Sequence, residues 1–211
     1  AINTSSLNEL TRPLWEEFIS EVQTSAGGGI RFSYSSVRRS VKHQWILYTG
    51  RQGLGSRSGI YFPGAPLGGS GGGSISGHRL GAACDGRWVA PGLSRVDGEW
   101  QGVTTGMNSG WNGLSYMGLC AKINSEIAGG GTGTDRSTAY SRAAEKYGIG
   151  WYGAGDDVHW EMFYCFIDQG TGEVTNKSGG GQMTRLSGLP QISNLGAAAT
   201  AYYYGLHGEL C

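Results

Sequence analysis

The segment richest in reactive side chains is GAGDDVHWEMFYC, residues 153–165. Read as part of a strand over 157–168, its odd positions share one face. That places Asp157, His159 and Glu161 in a row with Phe163 and Cys165, and Trp160, Met162, Tyr164 and Phe166 on the other side. An acid–His–acid row suits acid–base catalysis, with an imidazole held in one tautomer. The same row could ligate a metal. Successive members of such a row lie about 7 Å apart along the strand. Direct hydrogen bonds between them are therefore not expected, and partners must come from neighbouring strands. His-x-Glu is also half of the zinc-deaminase signature, but the Pro-Cys-x-x-Cys half is absent.

The other histidines are His43, His78 and His207, with His78 in SGHRLG beside a glycine-rich stretch. No G-x-S-x-G elbow supports a serine triad. Carboxylate pairs for glycoside hydrolysis are Asp97 with Glu99, or Asp156 or Asp157 with Glu161, but their separation in space decides that chemistry. No CxxC or Cys/His spacing of the zinc kind is present, so no metal and no cofactor are expected.

A second constellation is aromatic. Trp88, Trp100, Trp111 and Trp151 occupy Gly-rich, turn-like contexts with Asn or Asp nearby. Exposed rings flanked by short polar side chains form a stacking platform for flat ligands such as sugars. The sequence therefore favours an extracellular binding or adhesion module for a glycan or surface polymer. A secreted hydrolase using Asp157, His159 and Glu161 is the alternative, as is a self-assembling subunit of a filament or fibre.

The elements that must hold these residues read as follows. Leu14, Trp15, Phe18, Ile19 and Val22 recur at helical spacing opposite Glu16, Glu17 and Glu21, and Gly27–Gly29 ends the run. Ser6 with Glu9, or Thr11 before Pro13, could start that helix. A middle helix is expected over 134–148. Residues 30–37, 42–50 and 157–168 read as strands. The stretch LGGSGGGSISG, residues 67–77, lacks the Lys-Ser/Thr of a phosphate loop and reads as a structural loop beside a ligand surface.

Forty glycines among 211 residues favour turn-rich β structure. Sixteen basic and sixteen acidic residues cancel, which argues against nucleic acid as a partner. No apolar run suits a membrane helix. The expected fold is one α+β domain over 1–211: an N-terminal helical segment (1–26) and the middle helix on a mainly antiparallel sheet, with long Gly-rich loops. The four cysteines fit two disulfides, with Cys84–Cys120 and Cys165–Cys211 favoured over the other pairings and over four buried thiols. Those cysteines and an initial Ala1 lead to the expectation of a secreted chain.

Overall fold

The computed structural model describes residues 4–7, 11–37, 78, 81–128, 147–162, 164–167, 171, 174–175 and 182–185. The expected middle helix, the 67–77 loop, the strand over 42–50, His43, His207 and Cys211 lie outside the described residues, apart from positions 147 and 148 of that helix.

Helix α1 spans Arg12–Ala26, with Pro13 in its first turn. Thr11 precedes it, but its hydroxyl makes no cap; it donates instead to Gly81 O at 2.9 Å, pinning the helix start to the segment before strand β2. Leu14, Trp15, Phe18, Val22 and Ala26 are buried on one side. At Gly27 the backbone turns left-handed (φ +63°), its N–H donates to Gln23 O at 2.9 Å, and the helix stops.

The strands are β1 (Arg31–Ser36), β2 (Ala83–Val89), β3 (Leu93–Val96), β4 (Glu99–Gly102), β5 (Ile149–Trp151), β6 (His159–Met162), β7 (Tyr164–Ile167), β8 (Val174–Thr175) and β9 (Gln182–Arg185). An antiparallel four-stranded sheet runs β1-β2-β6-β5. β3 and β4 form a separate hairpin, and β8-β7-β9 form a third sheet. The α+β expectation thus holds for helix and antiparallel sheet. The strand expected over 157–168 does not run unbroken: β6 and β7 belong to different sheets. Helix α2 (Tyr116–Lys122) begins at Ser115, whose Oγ accepts from Gly118 N, and runs on as a wider π-helical turn through Ile127.

The register of β2 against β6 matters most. Cys84 faces Trp160, and Asp85 faces His159. Alternation then sends Cys84, Trp88, Trp160 and Met162 into the core under α1, and Asp85, His159 and Glu161 to the opposite face. Phe18 of α1 packs against Trp88 and Trp160, ring centroids 5.9 Å away in each case. Gly86 is required by crowding, because a Cβ there would lie 2.5 Å from Phe32.

The expected Cys84–Cys120 disulfide is not formed: both are free, buried thiols. Cys84 points from β2 and Cys120 from α2 into apolar packing, and burial pushes both thiols above their usual range. The support these two gave to an oxidising compartment is thereby removed.

Candidate metal centre

His78, Asp85 and His159 converge on one point. The His78 Nε2 to Asp85 Oδ1 distance is 2.9 Å, His159 Nδ1 to Asp85 Oδ1 is 2.9 Å, and His78 Nε2 to His159 Nδ1 is 3.2 Å. The register explains one edge of this triangle, since directly opposed strand residues have Cβ atoms about 5 Å apart. His78 arrives from the turn before β2, where Gly81 N donates to His78 O and Thr11 fixes Gly81 O.

The outer nitrogens decide what the inner ones carry. His78 Nδ1 lies 2.5 Å from Val37 O, which can only accept, so Nδ1 bears a proton. His159 Nε2 lies 3.0 Å from Glu161 Oε2, again an acceptor. With each imidazole neutral, His78 Nε2 and His159 Nδ1 are bare lone pairs aimed at a carboxylate oxygen. Three acceptors at 2.9–3.2 Å repel unless a cation sits among them.

That cation is either a proton or a metal ion. As a proton it resides on His159, where Nδ1–H is shared between Asp85 and His78. Burial works to discharge His159, but hydrogen bonds and charge from Asp85 and Glu161 outweigh it and lift the imidazole to about 9. Burial likewise opposes the charge on Asp85, yet hydrogen bonds from His159 and His78 hold its carboxyl well below the usual range.

The triangle also fits a metal. At a bond length near 2.05 Å, ligand atoms lie about 2.9 Å apart at right angles and about 3.4 Å apart in a tetrahedron. The observed edges, 2.9–3.2 Å, lie within that range, so His78, Asp85 and His159 would hold such an ion together. Each histidine already donates its second N–H to an oxygen, the arrangement that orients metal-ligating imidazoles.

The surroundings add acid–base groups. A 3-10 turn, Ala154–Asp156, leads into β6. Asp156 feels the charges of His159, Asp85 and His78. Though the residue is exposed as a whole, burial of its carboxyl raises it, repulsion from Asp85 and Asp157 adds to this, and the histidines oppose it. The Tyr152 ring stands edge-on to His159, centroids 6.0 Å apart.

Of the residues singled out in the sequence, His159 and Glu161 lie in the cluster. They also touch directly, against expectation: a long glutamate and a ring nitrogen lean toward each other along the strand. Asp157 does not join them. Its Oδ2 accepts from Trp100 Nε1 at 3.2 Å and its carbonyl from Trp151 Nε1 at 2.9 Å. Trp88, Trp111 and Trp151 are buried, and Trp100 is half-buried and stacked on Tyr116 at 3.6 Å. Their faces are used in packing and do not form an exposed platform. Asp97 and Glu99 lie on the exposed β3–β4 hairpin. His78 and Asp85 escaped the sequence reading as a pair. The available signal was a His and an Asp seven apart, bridged by the small residues Gly81, Ala82 and Ala83. No family model, curated protein or solved structure matches the chain.

Proposed function

We propose that the protein is a metal-dependent hydrolase, with His78, Asp85 and His159 as ligands of a zinc ion and an amide bond as substrate. One observation carries this reading: two imidazole nitrogens and a carboxylate oxygen converge at 2.9–3.2 Å while both outer ring nitrogens are engaged by oxygens. Two histidines and one carboxylate are the donor set of zinc peptidases, in which three protein ligands leave a coordination position open. A zinc ion so held polarises a carbonyl and acidifies water.

The chain's own residues supply the rest. Asp85 gives the charge that balances the ion. Asp156, three residues before His159 and coupled to the charges of the cluster, with its proton affinity raised chiefly by burial of its carboxyl, takes a proton from water and returns it to the leaving nitrogen. An iron oxygenase uses similar donors; the raised proton affinity of Asp156 is what supports hydrolysis over it. The adhesion reading loses its main support, because three of its four tryptophans are buried. The substrate is sought among peptides and cell-wall fragments.

The test is the appearance of new amino groups when the zinc-loaded chain is mixed with such a panel. Activity should vanish in chelator and return with zinc. Asp156→Asn should lower turnover by about 10²–10⁴-fold while zinc content stays at one per chain. Turnover that persists in chelator, or a chain that takes up no zinc, overturns the reading.

A further inference from the structure

We infer that Glu161 is a positioning residue for the metal centre, fixing the tautomer of His159 and strengthening it as a donor; this rests on the zinc reading above. His159 Nε2 donates to Glu161 Oε2 at 3.0 Å, and both side chains are largely shielded, at 13% and 16% exposure. The two histidine ligands are therefore supported unequally. His78 leans on the neutral carbonyl of Val37, whereas His159 leans on a charged carboxylate. A carboxylate behind an imidazole draws its N–H proton outward and raises electron density at the opposite nitrogen, which here is the metal-facing Nδ1.

The sheet makes room for this contact. Glu161 is paired with Ala83 on β2 and with Gly150 on β5. Its cross-strand neighbours thus offer a methyl group on one side and a hydrogen on the other, so no bulky side chain at either position blocks its lean toward His159. In the metal-free chain the proton on His159 Nδ1 must leave as the ion enters, and Glu161 keeps the ring's remaining proton on Nε2. Without Glu161 the neutral ring can carry that proton on Nδ1 instead, facing Asp85, where it competes with the ion, and affinity falls although all three ligands remain.

The experiment is a zinc competition titration against a chromophoric chelator, with wild type, Glu161→Gln and Glu161→Ala. Visible spectra of the cobalt(II)-loaded proteins and thermal melts of the metal-free proteins accompany it. Gln keeps the acceptor and loses the charge, so about tenfold weaker zinc binding is expected; Ala loses both, and about 100-fold is expected. The cobalt spectrum should persist in the Gln variant, since the ligands are intact. If wild type takes up no zinc, the zinc reading and this inference fall together. If wild type binds and both variants bind as tightly, Glu161 alone loses its role. Should the Ala variant fail to fold, the near-isosteric Gln variant decides.

Discussion

The two faces of the four-stranded sheet are built from alternate residues of the same strands, and they obey different rules. On one face Trp88 and Trp160 meet edge to face, centroids 6.0 Å apart, beneath Phe18. On the other, one residue from Trp160 on β6 and three from Trp88 on β2, His159 and Asp85 meet through a 2.9 Å hydrogen bond. The aromatic face gains from excluding water and is indifferent to proton or metal concentration. The polar face gathers acceptors that need a cation. A single residue of register separates the two, so the dry face also keeps the wet one aligned.

Substituting neighbours on opposite faces should separate the two roles most sharply. Trp160 is fully buried against Phe18, Trp88 and Trp151. Trp160→Ala should lower stability by about 3–5 kcal/mol, as truncation of a large core aromatic does, and equally at every pH. Denaturant melts at pH 6 and pH 9 measure this. A loss confined to one pH would show that the faces are not independent.

The next effect belongs to the polar face alone. In chelator, His159 holds a proton up to about 9, against an ordinary value near 6.5. Its folded-state proton affinity is raised, so its contribution is complete below the ordinary value and disappears as pH rises through 9. A lift of that size is worth about 3 kcal/mol. The metal-free chain should therefore lose roughly that stability between pH 6 and pH 10, and His159→Ala should flatten the slope. An unchanged slope in that variant would assign the titration elsewhere.

The same contrast explains what could be read from sequence. Helix α1 was legible because Leu14, Trp15, Phe18 and Val22 repeat at a spacing that only burial explains. The alternation in β6 was legible for the same reason. The cluster was only half legible. His159 and Glu161 are near neighbours in the chain, whereas His78 reaches His159 across 81 positions through strand register. Register is a property of pairing, and no local pattern near His78 encodes it. The tryptophans misled because Gly-rich neighbours suggest exposed turns. Here glycine marks close approach: Gly86 leaves Phe32 room beside Trp88. The two thiols misled because an even cysteine count says nothing of direction, and Cys84 and Cys120 point into apolar packing.

The smallest expected effect probes where the faces communicate. Trp100 sits on the β3–β4 hairpin, whose two-residue turn, Asp97–Gly98, has positive φ at both positions and sets the register Val96 opposite Glu99. That register aims the Trp100 ring onto Tyr116 and its N–H at Asp157. With Trp151 holding the Asp157 carbonyl, two indoles fix the residue next to Asp156. Trp100→Phe keeps a ring on Tyr116 and removes only the N–H donor. Stability should fall by about 1 kcal/mol, the usual worth of one such bond. Zinc affinity should not change, because no ligand is touched. If the clamp orients Asp156, turnover should drop several-fold with KM unchanged, since the loss is of proton-transfer geometry and not of substrate contact. A change in zinc affinity would instead place Trp100 among the supports of the ligands, and no change in turnover would confine the hairpin to packing.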